Sequence, residues 1–171
     1  MNKVDTMVIR RALDRDVADI VKIYNYYIEH STATFEEKQL LPEQLAGRMN
    51  AVAQAGLPWL LAMRQGAVVG YAYATPWRER TAYRHSVEVS GYVCPDQTRG
   101  GTGSQLYQAL IERLERCGKR SLIGVVTLPN PASAAFHAKM GFVKVAHLEQ
   151  VGFKFGRWLD VGYWQKLLGG G

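Results

Sequence analysis

The chain has 171 residues, 47% hydrophobic and 21% charged, which suits one globular domain with a single core and excludes a largely disordered polypeptide. Its formal net charge is +6, but the basic residues are scattered through "VIRRALDRD", "PWRERTAYRH" and "RLERCGKR" without a dense run, so no nucleic-acid partner is expected. No apolar run can span a bilayer, the start "MNKVDTMVIRRALDRD" lacks a signal region, and Cys94 and Cys117 show neither metal-ligand spacing nor a disulfide framework; a cytoplasmic protein with no membrane partner is the expectation.

In chain order, "MVIRRA" (7–12) predicts a short strand, after which Asp14 or Asp16 caps a helix to about His30 with Ile20, Ile23, Tyr24, Tyr27 and Ile28 on its apolar side. "STATFEEKQL" is a loop, and Pro42 opens a second helix to about Ala55, stopped by Gly56. "PWLLAMR" and "AVVGYAYATPW", joined around Gln65 and Gly66, read as an antiparallel hairpin, and "HSVEVSGYV" alternates as a third central strand. A glycine-rich loop leads into a helix from about Gly101 to Cys117, with Leu106, Leu110 and Leu114 in a stripe and Gly118 at its C-cap. The nearly continuous apolar "SLIGVVTL" predicts a strand covered on both faces. Pro131 starts a short helix ended by Gly141, and two strands around Gly156 complete the domain before a glycine end expected to be unstructured. Both cysteines are expected to be buried or partly buried. With no internal repeat and no linker, residues 1–171 form one mixed α/β domain with its core at about 7–168.

The stretch "DQTRGGTGSQLYQAL" places three glycines where a helix begins. A strand, a glycine turn and a helix N-terminus together make an anion site, because unpaired N–H groups and the positive end of the macrodipole point into the turn. No Lys-Ser/Thr follows the glycines, so this is not a Walker A loop. The third glycine of the dinucleotide fingerprint is absent as well. The segment resembles the pyrophosphate loop of the GNAT N-acetyltransferase superfamily, with Gly101 and Gly103 on its two small positions and Thr98 where that loop starts with Gln or Arg. "NPASAAFHAKMGF" (130–142) resembles the second cofactor segment of that superfamily. "YRHSVEVSGYV" and "QVGFKFGRWLDVGYWQ" extend the resemblance, from about Val8 to Leu167, to the phosphinothricin and methionine sulfoximine acetyltransferase branch.

That resemblance implies a GNAT-like α/β fold: a mixed, mostly antiparallel central sheet with helices on both faces. It implies acetyl-CoA as co-substrate, a small amino-acid-like amine as acceptor, a homodimer and no metal. The cofactor would be held by Arg99, Gly100, Gly101, Thr102, Gly103 and Ser104 in the loop, by the backbone of Gly91, Tyr92 and Val93, and by Asn130 with Ser133. His137 stands where many members carry a tyrosine thought to protonate the departing thiolate; a packed or solvated histidine on a short helix is its other reading. Phe35 and Glu36 resemble a substrate-capping segment, and Lys154 and Trp158 belong to a motif that builds the dimer and borders the cleft.

Acetyl transfer requires a neutral amine and a route for its proton. Period-two alternation puts Glu88 on one face with Ser86, Ser90 and Tyr92, which makes it the candidate base; a salt bridge to Arg78 or Arg84 is its other expected role. Trp77, Arg78, Tyr83 and Arg84 precede it, and arginine with an aromatic wall suits an amino-acid carboxylate. A protein or peptide N-acetyltransferase and a non-catalytic coenzyme A binding module are the alternative readings.

Overall fold

The computed structural model describes residues 6–169. Seven strands form one sheet: β1 (Met7–Arg11), β2 (Trp59–Arg64), β3 (Ala67–Pro76), β4 (Ser86–Val93), β5 (Ser121–Leu128), β6 (Val143–Lys154) and β7 (Arg157–Leu167). Their order is β1-β2-β3-β4-β5-β7-β6, antiparallel throughout except for β4 beside β5. Two-residue turns close two hairpins. Gln65 and Gly66 carry φ of 51° and 81°, and Phe155 and Gly156 carry 53° and 72°, the doubly positive φ that lets a short turn follow the strand twist.

Four helices cover the sheet: α1 (Val17–His30), α2 (Pro42–Gln54), α3 (Thr102–Arg116) and α4 (Pro131–Lys139). Alternation along β4 sorts them by face. Tyr92 meets Tyr24 and Tyr27 of α1, with ring centroids 5.2 Å away in each case, whereas a Cβ on the neighbouring Gly91 would lie 2.7 Å from the Tyr107 ring of α3. Helices α1 and α3 therefore pack on opposite faces, as expected. The α4 residue Phe136 meets Tyr107 edge-on, which puts α4 on the α3 face. The fully buried Leu106, Leu110 and Leu114 confirm the predicted stripe.

Four expectations need correction. Neither aspartate caps α1 with its side chain: residues Asp14–Asp16 form a 3-10 turn. The Asp16 carboxylate instead takes the Leu13 N–H and both Arg10 guanidinium nitrogens, all at 2.8 Å. Strand β5 is not covered throughout, since Val125 is 37% exposed. Cys117, just past the end of α3, is exposed. Finally, the glycine end is not free at its start: Arg120 donates to the carbonyls of Leu168 and Gly169 at 2.8 and 2.5 Å, while residues 170 and 171 lie outside the described region.

Candidate active site

The parallel pairing of β4 with β5 runs from Ser86↔Ser121 to Val89↔Gly124 and stops. Beyond it β4 continues along β3, and β5 continues along β7, so the two central strands part. A cavity of about 330 Å3 occupies the fork. The backbone of residues 90–93 has no strand on that side, and unpaired peptide groups inside a protein are costly unless a ligand or side chain meets them. Tyr27 meets one by donating its hydroxyl to the Val93 carbonyl at 2.5 Å. The edge that remains is a template for an extended, amide-bearing ligand.

At the mouth of the fork, Gly101 has φ of 73° as the residue before α3, which explains one glycine of the loop. The N–H groups of Thr102, Gly103 and Ser104 precede the first intrahelical bond, from Gln105 N to Gly101 O at 3.1 Å, and so are available to an anion. The Thr102 hydroxyl is buried without a partner. At Gly103 a Cβ would find nothing nearer than the Phe136 ring at 3.5 Å; the protein itself tolerates a methyl there, so its absence widens the cavity that Gly103 lines. Arg64 of β2, which nothing in the sequence singled out, reaches the loop by donating to Gln97 at 3.1 Å.

Of the expected cofactor residues, Gly91, Tyr92, Val93, Gly103, Asn130 and Ser133 line the cavity, together with His137. Arg99, Gly100, Gly101, Thr102 and Ser104 do not line it; they form the adjoining turn and the first turn of α3. Asn130 caps α4 by accepting the Ser133 N–H at 3.0 Å, which leaves its side-chain NH2 for a ligand. Residues that sequence reasoning missed include Tyr27, Ala33, Tyr71, Tyr107 and Phe136. Helical spacing had marked Tyr27 as core, which it partly is.

His137 lies over Gly124 at the fork, where a Cβ would approach its Nε2 within 2.6 Å. Its Nδ1 is 2.8 Å from the Ser133 carbonyl, which can only accept, so Nδ1 carries the proton. Nε2 is buried without a partner. Burial lowers its pKa, against the raising effect of the Ser133 carbonyl, so the ring is neutral at pH 7 and Nε2 bears a lone pair.

Glu88 sits on β4 one residue before the pairing ends, half-buried, between Thr75 of β3 and Ile123 of β5. Burial pushes its pKa up, and the charge of Arg78 partly opposes this. The expected salt bridge is not formed: among the described residues no cation lies within ion-pair distance of Glu88, and Arg84 instead donates to the Thr81 carbonyl at 3.3 Å. Arg78 stacks on Trp77, its guanidinium carbon 4.3 Å from the ring centroid. Trp77, Arg78 and Tyr83 line a hollow of their own, with Pro76, Glu79 and Arg80, not the fork cavity.

Neither Phe35 nor Glu36 lines the fork cavity; the Phe35 ring lies against Gly152 of β6. The Glu36 carboxylate accepts the Tyr24 hydroxyl and both Arg48 guanidinium nitrogens, at 2.9 and 2.5 Å for the latter, which lowers its pKa. Lys154 is not available to a dimer surface, being 1% exposed, whereas Trp158 is 63% exposed.

The family model described as an acetyltransferase (GNAT) domain matches residues 9–162. The chain is 42% identical over 164 residues to a phosphinothricin N-acetyltransferase of Alcaligenes faecalis, covering 95% of this chain and 83% of that one. It is 36% identical to an L-methionine sulfoximine/L-methionine sulfone acetyltransferase of Salmonella typhimurium, covering 93% of each. The crystal structure of a phosphinothricin acetyltransferase from Sinorhizobium meliloti in complex with acetyl-CoA superposes with a TM-score of 0.93 at 37% identity, over 97% of this chain and 90% of that one.

Proposed function

The chain belongs to the GNAT acetyltransferase family, and from that premise we propose that it transfers the acetyl group of acetyl-CoA to the amino group of a small amino-acid-like acceptor, of the phosphinothricin or methionine sulfoximine type. The observation that carries this reading is the fork: a strand edge left unpaired at residues 90–93, ending at a helix N-terminus and starting beside a half-buried carboxylate.

Acetyl-CoA supplies the activated acyl group. The N–H groups at residues 102–104, with the positive charge of Arg99, hold its diphosphate, and the side-chain NH2 of Asn130 and the free edge of β4 hold its amides. Glu88 takes the proton of the acceptor ammonium. Burial raises its pKa and so makes it a stronger base than an exposed carboxylate, while the charge of Arg78 works against that rise and favours the ionised form. Arg78 on its Trp77 platform, with Tyr83 beside it, anchors the acceptor carboxylate. His137 closes the fork as a neutral ring; with its proton committed to Ser133, it takes the packed role rather than that of an acid.

Two neighbouring expectations belong to the same reading. Phe153 of β6 and Trp158 of β7, paired directly across the outer hairpin and each more than half exposed, form an apolar patch that pairs two copies in a homodimer. Among the described residues no helix is long and apolar enough to cross a membrane; a cytoplasmic location is part of the same proposal.

The test is thiol release from acetyl-CoA with methionine sulfoximine and phosphinothricin as acceptors, beside a panel of unmodified amino acids. Turnover with the oxidised sulfur or phosphorus analogues is expected. Coenzyme A that protects the protein from heat, with no turnover on any amine, would return the chain to the non-catalytic reading.

A further inference from the structure

Lys154 ends β6 with 1% of its surface exposed, and no carboxylate among the described residues pairs with it. An ammonium so placed is costly unless its protons are used. The ammonium lies 4.9 Å from the Phe155 ring centroid, and its hydrogen bonds go to one segment only. Nζ donates to the Ser31 and Thr34 carbonyls, at 2.8 Å each, in the loop that joins α1 to α2. Burial lowers the Lys154 pKa, opposed from a distance by the charges of Glu37 and Glu36.

The two carbonyls bracket Ala33, which lines the fork cavity. The Thr34 hydroxyl is 2.8 Å from that of Tyr24, whose ring packs on Tyr92 of β4. Phe35 follows, its ring against the backbone of Gly152, where any Cβ would overlap it. Glu36 closes the segment through Tyr24 and Arg48, and its charge and that of Glu88 both act on the Tyr73 hydroxyl, which brings this end of the loop to the side of the cleft where the acceptor base stands. A single buried cation thus ties the β6–β7 hairpin to the loop between α1 and α2.

We propose that Lys154 is a positioning residue that fixes loop 31–36 over the acceptor end of the cleft and so sets the affinity for the amine rather than for acetyl-CoA. The proposal rests on the acetyl-transfer reading above. Its selectivity follows from placement, because the groups assigned to acetyl-CoA stand on β4, on α3 with its loop, and on α4, whereas the hydrogen bonds of Lys154 go only to the loop between α1 and α2. A neutral side chain of the same length would fill the volume but leave both carbonyls unpaired.

Lys154→Met tests this in two ways. In kinetics, KM for the amine is expected to rise about tenfold or more while kcat and KM for acetyl-CoA stay within about threefold, the pattern of lost ground-state binding to one substrate. In the protein alone, backbone amides of loop 31–36 are expected to exchange faster with solvent while those of β4 and α3 do not. Gly152→Ala, which pushes Phe35 away from the same face of β6, should reproduce the split, and it carries the test if Lys154→Met does not fold. An unchanged amine KM, a parallel rise in both KM values, or unchanged exchange in the loop would each overturn the proposal. Should the native enzyme acetylate no amine, the functional reading fails separately, and the exchange measurement still decides whether Lys154 holds the loop.

Discussion

Glu88→Gln exchanges one oxygen for an NH2 group and removes the charge at the base of the fork. If Glu88 takes the ammonium proton, the variant should lose kcat/KM for the acceptor by about 10²- to 10⁴-fold, the usual share of a positioned general base, or about 3–5 kcal/mol of barrier. Its structure adds a second, opposite expectation. Burial raises the pKa of Glu88 in the folded protein, so the folded state binds this proton more tightly than the unfolded chain does. The associated stabilisation is complete below the unfolded pKa and is lost as pH rises through the folded one. Gln carries no such loss, so the variant should be inactive yet more heat-stable than the native enzyme at neutral pH, with the two melting temperatures converging in acid. The assay is thiol release from acetyl-CoA with methionine sulfoximine between about pH 5 and pH 9, where the acid limb of the native profile should disappear in the variant. A variant that keeps its rate within about threefold across that range would remove Glu88 from the chemistry. A variant less stable at neutral pH than in acid, relative to native, would contradict the sign of the shift.

Asp16→Ala should cost about 3 kcal/mol in urea unfolding at neutral pH, the low end for breaking a buried pair, because Arg10 keeps 26% exposure and regains some water. The Arg10 hydrogen bond depresses the Asp16 pKa, so this contribution is present above the unfolded pKa and lost as pH falls through the folded one; the deficit of the variant should shrink in acid. Trp158→Glu places a charge on the exposed apolar face of the outer hairpin and should convert a dimer into monomers in sedimentation, with the fold intact by circular dichroism; an unchanged oligomer would move the interface elsewhere.

What was legible in the sequence is what local chemistry determines. Gly101 must turn into α3 at positive φ, Gln65 and Gly66 must close a hairpin, and the stripe of Leu106, Leu110 and Leu114 must face inward; all three follow from neighbours within a few residues. The fork does not follow from such neighbours. It depends on where β4 and β5, separated by all of α3, cease to pair, and no pattern inside "SVEVSGYV" or "SLIGVVTL" marks Val89 or Gly124 as the last partners. His137 shows the same limit at one side chain. Its type suggested an acid, but its role turns on which nitrogen meets the Ser133 carbonyl. Arg48 lies on α2 among Leu45, Met49 and Val52 and reads as a solvent-facing residue until Glu36 is brought to it by the loop. Lys154 was readable only as part of a motif, because its partners lie 120 and 123 residues away.

Parting two central strands in a buried sheet removes ladder hydrogen bonds and opens space, and both effects favour collapse. Side chains from the two faces oppose that collapse here. Tyr27 reaches from α1 to the Val93 carbonyl, Tyr107 lies on Gly91 from α3, and His137 stands over Gly124 from α4. Each prop needs a residue without bulk opposite it or a carbonyl left free by the parting, so glycines at 91 and 124 belong to the fork as much as those of the anion loop do. A side chain at either position would strike the ring that holds the gap open, Tyr107 at 2.7 Å or His137 at 2.6 Å. The cleft is thus built before any ligand arrives. A ligand that took up the free edge of β4, as proposed, would add the hydrogen bonds missing there, and its binding energy would then also be folding energy for that edge.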